Sequence, residues 1–254
     1  MTNRKKLLLI LSILLGLNTN ALMAELTQTQ LHATLGIVTN FVLDDNTIYH
    51  HGIEYKIVIS PYTGKQWLDR NLGASQVCTS FDDPLCFGDY YQWGRDADGH
   101  QESNSSTTAT LATDVNNVGT SSFIIGSQDW ASVDSSGAIR LANWSKTDGS
   151  SVCPVGFRVP TLGDMQAELF VSGSASITDS ASAFNSFLRL PSAGIRMNSI
   201  LTPAGQVGLI WIANFSAVVL FDNSDASITA PSDHIVGMPV RCVKGPISPD
   251  IPLV

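Results

Sequence analysis

The sequence predicts an α+β domain of short strands, one or two helices and long irregular loops. Three observations carry this. Strand-like runs are short and scattered: Ile53–Ser60 (IEYKIVIS) alternates and is rich in β-branched residues, and GLIWIANF, AVVLFDN and MPVRCVK repeat the type late in the chain. One stretch, 161–170 (TLGDMQAELF), combines helical periodicity with a start signal. Between such elements lie long polar stretches, chiefly 103–122, half Ser or Thr and without Lys or Arg, which reads as a surface insertion. A 254-residue chain that is 44% hydrophobic can bury a full core. Twenty glycines without a triplet repeat, and no sustained heptad, exclude collagen-like and coiled-coil chains.

In order, residues 1–24 have a basic start (Arg4, Lys5, Lys6), an apolar run Leu7–Leu17 and small residues before Ala24. The run is too short to span a bilayer and has the order of a cleavable signal, cut after Ala24 or alternatively Ala21. Residues 25–48 read as a lead-in, partly strand. Ile53–Ser60, the turn Pro61-Tyr62-Thr63-Gly64 and Lys65–Leu72 read as a hairpin. In 161–170, Thr161 is the N-cap with Asp164 three residues on, and Leu162, Met165, Leu169 and Phe170 share a face. Residues 171–182 are a loop or helix extension, and Ala183–Leu190 a short helix or strand. The tail Gly245–Val254, with three prolines, is expected to be loose.

With 14 Lys+Arg against 22 Asp+Glu and a net charge of −8, the chain is a poor partner for nucleic acid or an anionic membrane. No second apolar stretch is long enough to span a membrane once the signal is removed. An exported destination fits four cysteines. Three pairings are possible; Cys78–Cys86 and Cys153–Cys242 are favoured. The chain-entropy model assigns about 2–3 kcal/mol to the small loop and about 4–5 to the large one. No C-x-x-C spacing offers a zinc knuckle or redox pair.

The chemical motifs are informative mostly by absence. Gly64-Lys65 lacks the remainder of a phosphate loop, and neither H-E-x-x-H nor G-x-S-x-G occurs. His50 and His51 are adjacent, so on a strand they would point to opposite faces, and solvated loop histidines are expected. Asp96-Ala97-Asp98-Gly99-His100 reads as an ordinary Asp/Gly turn, lacking the third oxygen position and distal Glu of a calcium loop. Asn104-Ser105-Ser106, Asn143-Trp144-Ser145 and Asn214-Phe215-Ser216 match glycosylation acceptors, as chance allows in so Ser-rich a chain.

Five blocks then appear in order: Thr63–Ala74 (TGKQWLDRNLGA), Phe87–Arg95 (FGDYYQWGR), Cys153–Thr161 (CPVGFRVPT), Leu190–Arg196 (LPSAGIR) and Pro239–Val243 (PVRCV). Together they resemble the Fibrobacter succinogenes major paralogous domain family over about residues 49–244. That family is similar in turn to the formylglycine-generating sulfatase-modifying factors and to the C-type lectin-like fold. The resemblance implies a domain whose first and last strands pair. It also implies a cystine joining the central helix region to the last strand. Trp67, Arg70, Trp93, Arg95, Arg158 and Arg241 are then scaffold, the arginines bonding backbone carbonyls of irregular loops. The paired copper-site cysteines of the formylglycine-generating enzymes are absent, because no thiol lies between Cys153 and Cys242. The Glu-Pro-Asn and Gln-Pro-Asp tripeptides of calcium-dependent sugar binders are absent too. Neither activity carries over, and no cofactor, metal or catalytic residue is assigned.

The function expected is an exported, non-catalytic binding or adhesion module that presents a variable loop surface to a protein or glycan ligand at a cell surface. The candidate surface is 196–233, with Arg196, Asn198, Trp211, Asn214, Phe215, Asp222, Asn223 and Asp225 as ligand residues. For Trp211 and Phe215 the competing reading is core, and for Trp211 it is the stronger one. Similar lectin-like variable proteins of diversity-generating retroelements vary in this late region. The alternatives are an exported enzyme acting on polysaccharide or a partner protein, and a structural cell-surface component.

Overall fold

Strands as short as two residues dominate the computed structural model, which describes residues 46–245 except 171–175, 203, 216 and 232. The expected signal 1–24, the lead-in up to Asp45, the tail from residue 246 and residues 171–175 of the 171–182 stretch fall outside the described residues. The described architecture is mixed α/β, mostly strands, with few helices and long loops. No helix among the described residues is long and apolar enough to cross a membrane.

The largest sheet orders its strands β1 (Thr47–His50), β2 (Ile53–Ile59), β3 (Gln66–Leu68), β14 (Val243–Lys244) and β7 (Phe157–Arg158). β2 and β3 form the expected hairpin, Val58 opposite Trp67. The last strand pairs with β3 (Val243 opposite Trp67) and β7 (Val243 opposite Arg158). The resemblance implies pairing of first and last strands; here β3 and β7 take that place, and β1 pairs with β2 alone. Beside β14, Cys242 is bonded to Cys153, and Cys78 to Cys86, with Cα–Cα distances of 5.9 and 5.0 Å.

A three-stranded meander holds β10 (Gly208–Trp211), β11 (Val218–Phe221) and β12 (Ala226–Thr229). A four-stranded sheet runs β4 (Tyr91–Gln92), β13 (Gly237–Met238), β8 (Ile195–Met197), β9 (Ile200–Thr202). The parallel pair β5 (Thr107–Thr108) and β6 (Phe123–Ile124) lies within and at the end of the Ser/Thr-rich insertion.

Three α-helices are described. The helix α2 (Leu162–Leu169) starts as its sequence predicts: the Thr161 side chain accepts from the Asp164 amide and Asp164 from the Thr161 amide. The helix α3 (Ser180–Asn185) begins earlier than the expected 183–190 element, because Asp179 and Ser182 form a second capping box; the chain then turns through Phe187 and Leu188, with Arg189 at φ 50°, before Pro191. The helix α1 (Ala138–Trp144) has no side-chain N-cap of its own at Gly137. Its first residue follows Gly137 at φ 70°, and Asp134 supplies the side-chain acceptor for the amides of Ile139 and Arg140.

Two apolar clusters fill the interior. One gathers Trp93, Trp144 and Trp211 around the Cys153–Cys242 bond; the other packs Trp67, Met165, Leu169 and Phe221 beneath α2 and the meander. Four arginines, Arg95, Arg140, Arg196 and Arg241, are at most 1% exposed. Strands this short leave loop carbonyls without ladder partners, and a guanidinium has five donors to satisfy them. Arg241 donates to Leu68 O at 3.2 Å, Leu188 O at 2.9 Å and Asn71 Oδ1. Arg95 donates to Thr120 O at 2.6 Å and Ser122 O at 3.0 Å. Arg158 bonds Asp164 at 2.7 Å, and Arg70 bonds Asp69 at 2.8 Å while lying over the Tyr55 ring.

Candidate functional site

The eight residues expected to form one ligand surface are not brought together. Arg196 is buried, and its guanidinium is spent on Glu102 O and Ser105 O, each at 2.6 Å, and on His100 O at 3.1 Å. Trp211 is fully buried and its Nε1 donates to Tyr91 O at 2.7 Å. Both are scaffold, because β8 and β10 turn these side chains inward. Asn198 is exposed in the β8–β9 turn at φ 58°. Asn214 and Phe215 are half-buried in the β10–β11 loop, where Phe215 stacks on His234 with centroids 4.0 Å apart. Asp222, Asn223 and Asp225 make the opposite turn, β11–β12, and Asp222 Oδ1 accepts from the Ser224 and Asp225 amides. The four-residue β11 separates these two ends by about 13 Å of extended chain.

A different constellation forms a cleft of about 170 Å³ where four chain segments meet. Buried Val115, Trp144 and Val152 supply its apolar part. Exposed Asp96, Asn116 and Lys146 and half-buried Asn143 supply its polar part. Asn143, near the C-terminal end of α1, donates from Nδ2 to Asn116 Oδ1 at 2.8 Å, which ties the helix to the insertion. Trp144 Nε1 donates to Arg95 O at 3.3 Å and orients the indole. Ser151 also lines the cleft; its Oγ is buried without a hydrogen-bond partner. A buried hydroxyl in that state costs about 1–3 kcal/mol, so a ligand group that bonds it recovers stability.

The loop carrying Ser151 is held from the β1–β2 hairpin, since His50 Nε2 donates to Val152 O at 2.7 Å. This corrects the reading of His50 as a solvated loop histidine, whereas His51 is exposed in the turn. The chain turns at His51 (φ 46°) instead of continuing as a strand, so the rings lie 4.0 Å apart and His50 is half-buried. The Asp96–His100 segment is a turn held from within. Asp98 accepts from Arg95 Nε and from His100 Nδ1, each at 2.8 Å, which commits its carboxylate. No group of three or more His, Cys, Asp or Glu among the described residues is placed to hold a metal ion.

Among the groups with strongly altered acidity outside the cleft lining are His100 and Asp89. His100 is fully buried; its Nε2 accepts from the Gln92 amide at 3.0 Å while its Nδ1–H donates to Asp98. Burial pushes its pKa down to about 4. Asp89 packs against Gly73, where a Cβ would sit 2.3 Å from the Asp89 carboxyl carbon. Burial, and then the charge of Glu102, push Asp89 up to about 6. A carboxyl whose pKa is raised on folding contributes stability below its unfolded value, 3.8, and loses it as pH rises through about 6. Ionised Asp89 therefore destabilises the protein at neutral pH. Asp89→Asn is expected to raise stability by roughly 1–2 kcal/mol at pH 7.5, allowing for partial solvation, and by little at pH 4. Urea denaturation at the two pH values checks this; an equal effect at both would contradict it.

The cleft was not legible in the sequence because its polar residues come from positions 96, 116, 143, 146 and 151, with no local motif. Asn143 stood out there only as a glycosylation triplet. No family model matches the chain, and no curated protein or solved structure matches it.

Proposed function

We propose that the protein is an exported binding module on a C-type lectin-like scaffold of the Fibrobacter succinogenes major paralogous kind, and that the cleft beside Trp144 receives a small glycan unit. The observation that carries this reading is the buried, unpartnered Ser151 hydroxyl in a cleft with apolar residues on one part and amides on the other. A sugar ring has that same division, C–H faces and hydroxyl edges, and clefts of mixed lining with a few convergent polar groups are the usual form of small-ligand sites. Asp96 and Lys146 offset each other, and the chain carries a net charge of −8, which disfavours an acidic ligand. Two cystines favour an oxidising destination. The scaffold reading rests on the five sequence blocks and on the Cys153–Cys242 tie between the helix region and the last strand.

A glycan and peptide array tests the proposal. Binding to neutral glycans without release of product is expected. Asn143→Trp, which fills the cleft mouth, is expected to weaken it at least tenfold, and Asp222→Ala to leave it unchanged. Binding that survives Asn143→Trp and is lost with Phe215→Ala would move the site to the Phe215–His234 face.

A further inference from the structure

We propose that His100 is a proton-operated latch on the 101–123 insertion, and that acidification opens the Asn116 side of the cleft. The insertion is fastened around His100. At its start, Arg196 bonds Glu102 O and Ser105 O, and Ser105 Oγ donates to His100 O at 2.7 Å. At its end, Arg95 bonds Thr120 O and Ser122 O, and Gln92 exchanges side-chain hydrogen bonds with Ile124. His100 sits between these fastenings. Its ring meets Tyr91 and Phe123 at centroid distances of 6.0 and 6.3 Å.

The charged groups facing the ring are the guanidiniums of Arg95 and Arg196 and the carboxylate of Asp98. Neutral imidazole suits this setting: Nε2 accepts from the Gln92 amide and Nδ1–H donates to Asp98. A proton on Nε2 takes the lone pair that bonds Gln92 N–H and turns donor against donor. It also leaves three cations facing one carboxylate around a fully buried ring. The relief available is to open the segment and hydrate the ring. Beyond these bonds the segment is held by the β5–β6 pair, by backbone bonds from Ala112 to Trp130 O and from Ser132 to Ala112 O, by the Asn143–Asn116 bond, and by the small apolar cluster of Ala112 and Val115 against Ile124 and Trp130. Val115 and Asn116 line the cleft, so opening removes part of it.

The consequence for ligand binding rests on the cleft reading above; the opening itself does not. The test is amide exchange on the full chain at pH 7 and 4.5, corrected for intrinsic rates, with the His100 ring titration followed by NMR. The opening equilibrium at 101–123 is expected to rise between tenfold and a hundredfold, with β2 and β3 unchanged. His100→Gln should abolish the rise, while His50→Gln and His234→Gln, at the two half-buried histidines, should keep it. An unchanged opening equilibrium, or one retained in His100→Gln, overturns the latch. If His100→Gln does not fold, the wild-type curves decide, and opening that tracks another histidine overturns it. Methyl hexopyranosides are titrated at both pH values. Opening without any cleft binding at pH 7 keeps the latch and removes the glycan reading; cleft binding equal at both pH values removes the latch alone.

Discussion

Cys153→Ser with Cys242→Ser is expected to lower stability by about 4–5 kcal/mol, enough to unfold much of the protein at 37 °C. The bond closes a loop of sequence separation 89, so it removes far more freedom from the unfolded chain than Cys78–Cys86, at separation 8. It also acts where the fold is least local. β14 has two residues and finds its partners near positions 67 and 158. Both sulfurs lie in the tryptophan-rich cluster, so the serine hydroxyls would be buried as well. Cys78→Ser with Cys86→Ser should lower stability by about 2–3 kcal/mol. Guanidinium denaturation of the oxidised protein and both variants measures the difference. Equal losses for the two pairs would show that the long-range tie is not what secures the last strand.

Arg241→Ala is expected to destabilise by about 3–5 kcal/mol. The guanidinium is fully buried, and burial holds its pKa down to about 9. Its loss strands Leu68 O, Leu188 O and Asn71 Oδ1 in the interior. It also removes a cation from Asp69, whose Oδ1 is already buried without a partner. Arg241→Lys should recover little, because an ammonium cannot span three acceptors set around a planar fork. The control is Lys146→Ala at the exposed cleft rim, which should change stability by no more than about 0.5 kcal/mol. A shift in urea midpoint for Arg241→Ala no larger than that control would mean the loop carbonyls find other partners.

What was legible in the sequence follows the range of the interactions concerned. The β2–β3 hairpin and α2 rest on signals a few residues apart: alternation, a turn containing Gly64, and the Thr161–Asp164 box. The helix α1 escaped notice because its cap lies in Asp134, and because a buried arginine, Arg140, sits where an apolar residue would mark the inner face. Arg140 is paired with Asp134 and Asp129, six and eleven positions earlier, and lies under the Trp130 ring and the ring of the distant Trp93, so no short-range pattern marks it. For Trp211 the sequence favours core over ligand contact, and its side chain is fully buried; for Phe215 it favours neither. The first ends β10, an edge strand of the meander; the second, four positions on, is half-exposed on a loop. Arg196 read as a ligand residue because it is charged, yet the insertion that consumes its donors lies some ninety positions earlier. Two of the expected ligand residues, Asn214 and Phe215, stay partly accessible beside His234 and form the natural competitor to the cleft.

Amide shift mapping of the full chain with a neutral glycan selected from the array tests the account most directly. Saturable shifts are expected at Asn116, Asn143, Lys146 and Ser151, with the Trp144 indole N–H among them, and little change at Phe215 and His234. Shifts confined to the Phe215–His234 face, or spread along the β11–β12 turn with none in the cleft, would contradict it.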